Sequence, residues 1–459
     1  MCATSGIWVA HGSGSADRDA VDKYNRTART RTCSYAVRRV WLSQDEEEGY
    51  YYGFSNSGLW PLCHNTAVRP RFREGDWYAY RTVNRRFAEA VAEECSSERP
   101  IVLVQDYHLA LLPAFLRARV PHATIIMFWH IPWPSIERLK LCPWAREILQ
   151  QIVASDIVGF HTGEQCTYFS ACVREVLGAQ VAPTPGSVLL KEHACRVAAY
   201  PASISWPPTW LLGAPSVALC RHRIRRRYEI GGHVSIGLAV DRWDFTKGII
   251  ERLLSFEMLL NRSPQRHGMV TLLQVAAPTR GKLSAYRTLQ ARTRREIDRI
   301  NRKFERDTWK PIVFVDEHQN EDRVCELYRG ADFCIVNSLH DGMNLVAKEF
   351  VAAREDEDGV LILSRSAGAS RELVEAIVVD PLDIAATASA IAQVLDMPRK
   401  ERRTRMRRMR ATVERNNAYR WAGQILLDSA RISRPGDEPL LDRTTPSDAR
   451  VRVPRCGVS

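Results

Sequence analysis

IVLVQDYHLALLPAFLRARVPHATIIMFWHIP (residues 101–132) contains two short apolar runs with a helical segment between them. The first run, 101–108, predicts a buried strand that ends in polar residues, and 124–132 predicts a second strand that ends in a proline-rich turn. Residues 109–119 have helical spacing. A further apolar run, SDIVGFHT (155–162), continues the alternation. Strands that alternate with helices indicate a parallel sheet with helices on both faces.

The second half of the chain repeats this alternation. Helical patterns such as 248–261 and 286–304 separate further apolar runs that predict strands. Those runs are VSIGLAVDR (234–242), VTLLQVAAP (270–278), KPIVFVDE (310–317), ADFCIVNS (331–338) and GVLILSRS (359–366). The sequence therefore predicts an α/β protein with two halves of similar size. In open α/β sheets ligands bind beyond the carboxyl ends of the strands, so polar residues at those ends are the first candidates for a site.

Proline and glycine mark the join between the halves. SWPPTWLLGAP (205–215) carries three prolines and one glycine, residues that interrupt helices and strands. The tail after Ser433 is rich in Pro, Asp, Arg and Ser, a composition typical of disorder. We therefore expect an N-terminal domain at 1–205, a linker at 206–231, a C-terminal domain with a closing helix at 232–432, and a disordered tail at 433–459.

The net charge of +12, from 65 basic and 53 acidic residues, suits a partner that carries phosphate. Nucleic acid, an anionic membrane and phosphorylated metabolites all meet that description. The most basic stretch, RKERRTRMRRMR (399–410), is interpreted as a solvated helix face rather than a nucleic-acid contact. Since the sequence has no aromatic-interleaved basic motif and no zinc module, we expect no nucleic-acid partner.

Three features bear on the location of the protein. The chain has no apolar run of about 18 residues, so no membrane span is expected. MCATSGIWVAHGSG (1–14) lacks the basic patch and the apolar stretch of a secretory signal. The twelve cysteines are scattered, without a CxxC pair or zinc spacing, which suits a reducing cytoplasm.

The segment SLHDGMNLVAKEF (338–350) carries the strongest local signal for a site. It follows a predicted strand and continues into a helical pattern, so Asp341 and the backbone N–H groups of 343–346 fall at a helix N-terminus, which binds anions. Glu349 lies one turn after Leu345 on the same helix face, where a carboxylate could bind two adjacent ribose hydroxyls. The alternative is a capped helix with a surface glutamate.

VDRWDFTKGI (240–249) places Arg242 and Lys247 in the loop after another predicted strand. Two loop cations suit a diphosphate leaving group, because they stabilise the charge that grows as the sugar–oxygen bond breaks. Two solvated basic residues are the alternative. Arg280, after the strand in AAPTRGKLSAY (276–286), is a weaker candidate for a phosphate site.

Four further candidates lie in the first half. Asp106 and His130 end two predicted strands, where a carboxylate and an imidazole could bind sugar hydroxyls or handle a proton. A structural histidine is the alternative. Tyr51 and Trp60 lie in YYYGFSNSGLWPLCH (50–64), and aromatic rings either stack on sugar faces or fill cores.

These segments, in this order, resemble the trehalose-6-phosphate synthase family. DYHL, the HIP turn, the D/ExRxDxxKG pattern, APTRG and DGMNLVAKE all recur in that family, and the resemblance runs from Trp8 to Trp421. It implies two Rossmann-like domains that face each other across a cleft, the GT-B arrangement. It also implies glycosyl transfer with retention of configuration, without a metal or a cofactor, and it leaves a homo-oligomer open.

The resemblance assigns the donor site mainly to the C-terminal domain. Arg242 and Lys247 would hold the diphosphate of a nucleotide sugar, and Asp341 and His130 would bind the glucose that is transferred. Gln319 falls at a contact with the nucleotide base, where the family has an aromatic residue. The donor segment would consist of Asn344, Leu345, Val346, Ala347, Lys348 and Glu349, with Glu349 on the ribose.

The resemblance assigns a sugar phosphate to the other side of the cleft. Tyr51, Trp60 and Arg280 would cradle this acceptor, with Arg280 on its phosphate, and Asp106 would lie beside the attacking hydroxyl. The implied mechanism needs no protein nucleophile, because the acceptor attacks from the face that the diphosphate leaves and a leaving-group oxygen takes the proton. The acidic stretches 17–19 and 356–358 are expected to be loop acids rather than metal ligands.

The chain also departs from the family pattern. The family begins with a strand that ends in Ser-Asn-Arg, followed by a Gly-Gly loop, and this chain shows neither. It therefore looks short at the N-terminus, which predicts an opened edge in the first sheet and is explained by a late gene start or a degraded paralogue. His11 stands where the family often has Trp in the acceptor site, and His340 stands where an Arg commonly precedes the Asp.

The function that this sequence predicts is the transfer of glucose from a nucleoside diphosphate glucose, UDP-glucose first, to glucose 6-phosphate. The product would be trehalose 6-phosphate. One alternative is a related transferase with another phosphosugar or cyclitol acceptor, which the departure at His11 leaves open. A second alternative is a catalytically silent chain that binds a sugar nucleotide.

Overall fold

The computed structural model describes residues 6–432 except for 13–18, 20, 23, 28–34, 182–185 and 307. The tail predicted to be disordered, 433–459, lies outside the described residues, as do Asp17 and Arg18. The described strands are β1 (Ile7–Gly12), β2 (Arg26–Thr27), β3 (Ala36–Trp41), β4 (Ile101–Gln105), β5 (Thr124–Phe128), β6 (Ile157–Phe160), β7 (Gln180–Val181), β8 (Ser187–Leu190), β9 (His193–Ala199), β10 (Ser235–Arg242), β11 (Val270–Ala277), β12 (Ile312–Val315), β13 (Phe333–Val336), β14 (Val360–Ser364) and β15 (Ile377–Val379).

Helices connect most of these strands. The described α-helices are α1 (Gln44–Glu47), α2 (Trp60–Cys63), α3 (Glu74–Glu94), α4 (Leu112–Arg119), α5 (Ile136–Leu139), α6 (Ala145–Ile152), α7 (Gly163–Leu177), α8 (Val217–Arg227), α9 (Ile249–Arg262), α10 (Ser284–Phe304), α11 (Glu321–Gly330), α12 (Leu345–Ala353), α13 (Ile384–Asp396), α14 (Arg399–Arg415) and α15 (Ala418–Ala430). A π-helix spans Glu48–Leu59, and 3₁₀ turns span Tyr107–Leu109, Thr209–Leu211, Phe245–Lys247, Pro264–Arg266 and Gly368–Arg371.

Six strands form the sheet of the first half, in the order β4-β5-β6-β9-β8-β7. β4, β5, β6 and β9 are parallel, and β8 and β7 extend the sheet as antiparallel strands. The three strands predicted in this half are confirmed, each shorter than predicted because its polar end leaves the sheet as a loop. β4 is an edge strand, and Ile101 and Leu103 on it are 53% and 41% exposed. The smaller sheet β1-β3-β2 lies earlier in the chain.

The sheet of the second half has the order β12-β11-β10-β13-β14-β15, and all its strands are parallel. Counted from β10, this order is 3-2-1-4-5-6, the Rossmann order. The five strands predicted in this half are confirmed. β15 was not predicted, because a strand of three residues is too short to show a pattern. The strand order reverses between β10 and β13, which is the position where ligands bind in such sheets.

β13 illustrates why these strands could be recognised in the sequence. Phe333 and Ile335 point into an apolar cluster that includes α9, α10 and α13. Cys334 and Val336 point into the opposite cluster, which includes α11, α12 and α14. A parallel strand that is covered on both faces is apolar throughout, and such a run stands out in a sequence.

The basic stretch 399–410 lies on α14, whose methionine and valine side chains are buried against the second sheet. Arg402 pairs with Asp358 at 2.9 Å, and Arg407 pairs with Glu357 at 2.7 Å. The acidic stretch 356–358 therefore faces this helix, and it neutralises part of the exposed basic surface.

The last described helix, α15, returns to the first half of the chain. Ile425 packs with Phe128 and Tyr200 at the first sheet. The Tyr200 hydroxyl donates to Asp428 Oδ2 at 2.9 Å, and Arg196 lies 3.1 Å from the same oxygen. The chain thus crosses between the halves twice, and α15 ties its end to the first sheet.

Replacing Asp428 tests this attachment. Asp428→Ala leaves the Tyr200 hydroxyl and Arg196 without their buried partner, so we expect the free energy of unfolding to fall by about 2 kcal/mol in urea denaturation. Asp396→Ala is the matched control, because its ion pair with Arg266 leaves the Asp396 side chain 67% exposed and should cost less than about 0.5 kcal/mol. Equal stability of the two variants would show that α15 is not held by Asp428.

Candidate active site

The carboxyl ends of the parallel strands in the two sheets meet at the predicted site. Asp106 and His130 follow β4 and β5 in the first half, and Asp341 follows β13 in the second. Gly342 lies directly against the His130 backbone, since a Cβ atom at Gly342 would be 2.1 Å from the His130 carbonyl oxygen. No larger residue fits at this position without moving the two halves apart.

Lys247 and Asp341 form an ion pair at the point where the strand order reverses. Lys247 Nζ donates to Asp341 Oδ2 at 2.5 Å, although the two residues are 94 positions apart. Asn344 Nδ2 donates to the same oxygen at 3.1 Å. Burial acts to raise the pKa of Asp341, but the Lys247 ammonium and the Asn344 amide lower it to about 2. Asp341 is therefore a carboxylate at neutral pH.

The loop that carries Lys247 rests on a buried arginine. Arg252 is fully buried, and it donates to the Lys247 carbonyl at 3.1 Å, to Asn337 Oδ1 at 2.7 Å and to Asp241 Oδ2 at 2.6 Å. The side chain of Arg242, the last residue of β10, is exposed and has no hydrogen bond or ion pair within the described part of the chain. The strand end thus carries an unpaired arginine, and the loop after it carries a supported lysine.

The predicted donor segment begins at the N-terminus of α12. Asn344 precedes the helix in a left-handed conformation (φ 72°), and its buried Oδ1 has no partner among the described residues. The first backbone N–H groups of a helix have no partner within it, and they attract anions. Leu345, the first residue of α12, is 38% exposed, and Val346 is half-buried.

The rest of that segment divides into buried and accessible residues. Ala347 is fully buried. Lys348 is buried as well, with Nζ 2.6 Å from Glu372 Oε2 and 2.8 Å from the Ala202 carbonyl, so its side chain is engaged away from the start of α12. Glu349 accepts from the Tyr328 hydroxyl at 2.8 Å, and burial raises its pKa.

Asp106 and His130 are brought together in the first half. Asp106 has φ 69°, and its Oδ1 accepts from the His130 backbone N–H at 3.1 Å. His130 Nε2 donates to Gln105 Oε1 at 2.6 Å, which leaves Nδ1 as an acceptor. Burial lowers the pKa of His130 and raises that of Asp106. The imidazole is therefore neutral at physiological pH.

Trp60 and Arg280, from different halves, form one cluster. The Arg280 guanidinium lies 4.2 Å from the Trp60 ring centroid. It donates from Nη1 to the Tyr286 hydroxyl at 2.8 Å and from Nη2 to the Tyr107 hydroxyl at 3.2 Å. Arg280 has φ 47°, and its buried Nε has no described partner. A buried donor without a partner in the protein is available to a ligand.

Tyr51 reaches this cluster through His108. Tyr51 belongs to the π-helix Glu48–Leu59 and stacks on the His108 ring with a centroid distance of 5.6 Å. His108 in turn lies 3.9 Å from the Tyr107 ring. π-helical segments are rare and occur often at functional sites.

Gln319, His11 and His340, which were also singled out in the sequence, make their described contacts outside the Arg280 cluster. Gln319 follows β12, and its described hydrogen bonds are to Glu317 alone. His11 lies in β1 opposite Val40, and no described hydrogen bond links it to the Arg280 cluster. His340 Nδ1 accepts from the Asn65 backbone N–H at 3.1 Å, so the histidine at this position bridges the two halves.

Sequence reasoning missed three residues that support the site. Asp244, Arg252 and Tyr286 were not candidates, although Asp244 is the acid of the RxDxxKG part of the family pattern (242–248) and Arg252 and Tyr286 follow the same loops as Lys247 and Arg280. The pattern was thus a usable signal for Asp244. The contacts of Arg252 and Tyr286 depend on packing that spacing does not reveal.

Comparison with known proteins agrees with this geometry. Residues 2–431 match glycosyltransferase family 20. This chain belongs to glycosyltransferase family 20. The chain is 36% identical over 442 residues to the bifunctional trehalose-6-phosphate synthase/phosphatase of Thermoproteus tenax. This match covers 95% of the present chain and 58% of the relative. It is 37% identical over 414 residues to the trehalose-6-phosphate synthase of Mycobacterium marinum, with coverage of 87% and 81%.

A solved structure supports the same assignment. The family 20 chain superposes with a TM-score of 0.83 and 30% identity on an α,α-trehalose-phosphate synthase (UDP-forming) from Burkholderia xenovorans in complex with glucose-6-phosphate. The match covers 93% of this chain and 100% of that one. The predicted family and the predicted GT-B fold are thereby confirmed. The chain spans 58% of the length of its Thermoproteus tenax relative.

The described residues of the family 20 chain contain no group of three or more His, Cys, Asp and Glu side chains that could hold a metal ion. No described helix is both long enough and apolar enough to cross a bilayer.

Three buried histidines at the cleft predict how stability depends on pH. Burial lowers the pKa of His64, His108 and His161 to about 3, whereas unfolded histidine titrates near about 6.5. The unfolded chain therefore binds more protons below that pH, and stability must fall as pH decreases. Between about pH 7.5 and about pH 5.5 we expect these three groups to lower the free energy of unfolding by about 4 kcal/mol.

Urea denaturation at the two pH values measures this loss. His161→Gln keeps an acceptor for the Ala202 N–H, which His161 Nδ1 receives at 3.3 Å, and it should remove about a third of the pH dependence. An unchanged dependence in this variant would show that His161 is not one of the groups that titrate.

Proposed function

We propose that this chain transfers glucose, with retention of configuration, from UDP-glucose to glucose 6-phosphate, and so forms trehalose 6-phosphate for trehalose biosynthesis. The observation that carries the proposal is a pair of separate cation sites at neighbouring strand ends. Lys247 lies after β10 beside Asp341, and Arg280 lies after β11 in the Trp60 cluster. A reaction between two phosphorylated substrates needs two such sites. The UDP-forming relative of known structure holds glucose-6-phosphate.

The donor would bind to the second half. Arg242, which is exposed and unpaired within the described chain, and Lys247 would take the diphosphate together with the N-terminus of α12. Glu349 would accept from the ribose hydroxyls, since its carboxylate is held at one oxygen by Tyr328. Positive charge fixed in this loop stabilises the diphosphate as it leaves.

The glucose that is transferred would lie between the halves. Asp341, kept ionised by Lys247, would accept from its hydroxyl groups, and neutral His130 would make a further hydrogen bond. Asp106 would lie beside the attacking hydroxyl of the acceptor. In this scheme the departing phosphate oxygen takes the proton of that hydroxyl, so the protein contributes orientation and fixed charge.

The acceptor would bind in the Arg280 cluster. The unpartnered Nε–H of Arg280 is a donor for phosphate, and Trp60, which packs on Arg280, and Tyr51, which stacks on His108, would line the pocket for the sugar. We further propose a cytoplasmic location. The nine cysteines that the structure describes are all free, and free thiols persist in a reducing compartment.

Release of UDP from UDP-glucose tests the function directly. The purified chain is assayed with glucose 6-phosphate, with unphosphorylated glucose and without acceptor. We expect release that depends on glucose 6-phosphate, and trehalose 6-phosphate as the product. Folded protein that releases no UDP under these conditions would contradict the proposed activity.

Arg242→Ala tests the donor site. Because Arg242 is exposed and has no described partner, the variant should unfold at the wild-type temperature, while kcat falls about 100-fold. Arg226→Ala, an exposed arginine of α8 outside the cleft, serves as the control and should keep full activity. Near-normal turnover by Arg242→Ala would refute a role for this residue at the diphosphate.

Arg280→Ala tests the acceptor site. Loss of a charge-assisted bond to phosphate should raise the KM for glucose 6-phosphate about 10- to 100-fold. The KM for UDP-glucose should change little, because the donor contacts are elsewhere. If the KM for glucose 6-phosphate stays at the wild-type value, Arg280 does not bind the acceptor phosphate.

A further inference from the structure

Asp244 is a fully buried carboxylate that contacts both halves of the chain. Its Oδ1 accepts from Trp60 Nε1 at 3.3 Å, across the cleft, and from the Thr246 backbone N–H at 3.0 Å. Its Oδ2 accepts from Arg280 Nη1 at 3.3 Å and from the Tyr286 hydroxyl at 3.2 Å. Both oxygens are thus used, and two of the donors are residues of the proposed acceptor site.

Electrostatics explains why this carboxylate lies beside Arg280. A buried charge is costly unless it is paired and hydrogen-bonded. In the described structure Asp244 forms its ion pair with Arg280. The other described contacts of the guanidinium are two tyrosine hydroxyls and two aromatic rings, which are neutral. Among the described residues, Asp244 is therefore the anion that pairs with Arg280 and fixes its position.

The geometry also leaves part of the guanidinium available. An arginine has five N–H groups. The described bonds use Nη1 toward Asp244 and Tyr286 and Nη2 toward Tyr107, and Nε has no described partner. Nε and Nη2 lie on the same edge of the guanidinium, which is an edge that can donate to two oxygens of one phosphate.

We propose that Asp244 is a positioning residue for the phosphorylated acceptor. It holds Arg280 by Nη1, so that the Nε edge is directed to phosphate, and it receives the Trp60 indole N–H from the first half. The acceptor pocket is then complete only when the two halves are in contact. This inference rests on the proposed function, since it assigns the support of Arg280 within that site.

Asp244→Asn is the decisive variant, because it keeps the shape of the side chain and removes its charge. We expect the KM for glucose 6-phosphate to rise about tenfold, with kcat and the KM for UDP-glucose within about threefold of wild type. The preference for glucose 6-phosphate over unphosphorylated glucose, measured as a ratio of kcat/KM, should fall by the same factor. A purely structural role would not change this preference.

Asp332→Asn is the matched control. Asp332 also pairs with an arginine, Arg221 at 2.7 Å, and also accepts a backbone N–H, from Ile236 at 2.8 Å. It precedes β13, at the opposite end of the same sheet from the site. This variant should lose stability and keep the wild-type preference for the phosphorylated acceptor.

Tyr286→Phe decides the question if Asp244→Asn does not fold. The variant removes a hydroxyl that bonds both Asp244 and Arg280, and the KM for glucose 6-phosphate should rise about threefold. An unchanged acceptor preference in a folded variant overturns the inference, and so does an equal rise in both KM values. A wild-type chain that shows no acceptor-dependent UDP release overturns the proposed function itself. The wild-type assay comes before any variant, so this failure is distinguished from failure of the inference about Asp244.

Discussion

The close approach of the parallel strands of the two sheets, at their carboxyl ends, is the constraint on which the site depends. Gly342 leaves no room for a side chain against the His130 carbonyl. Around this contact, polar groups of one half reach partners in the other: Trp60 to Asp244, Asn65 to His340 and Lys348 to the Ala202 carbonyl. Each bond needs both sheets in place. The residues proposed to bind the two substrates are therefore positioned by the same contact.

The cations at the cleft are held in different ways. Lys247 and Arg280 each pair with a carboxylate that lies in the second half, Asp341 and Asp244 respectively. Arg242 has no such partner in the described chain. A paired cation keeps its position without a ligand, and little rearrangement is then needed when a substrate anion binds. An unpaired, exposed arginine can instead follow the diphosphate as it arrives and leaves.

The sequence reveals these elements to different degrees. β13 and the middle of β10 are apolar because helices cover both faces of the sheet. The rule that ligands bind at strand ends made Lys247 and Asp341 candidates for a site although they are 94 positions apart. The bond between Trp60 and Asp244 could not be predicted, because it joins a short helix of the first half to a loop of the second half, 184 positions away. The π-helix Glu48–Leu59 and the three-residue β15 leave no periodic pattern that would identify them.

Four titratable groups at the cleft fit the proposed transfer, in which the protein supplies fixed geometry rather than proton transfer. Asp341 is held ionised by Lys247, and burial keeps His130, His64 and His161 neutral. His130 is further engaged by Gln105, which fixes its proton on Nε2. None of these groups changes its charge near neutral pH. A site of this kind suits a reaction in which the leaving phosphate itself accepts the proton, since the protein then has only to hold two phosphates and one hydroxyl in place.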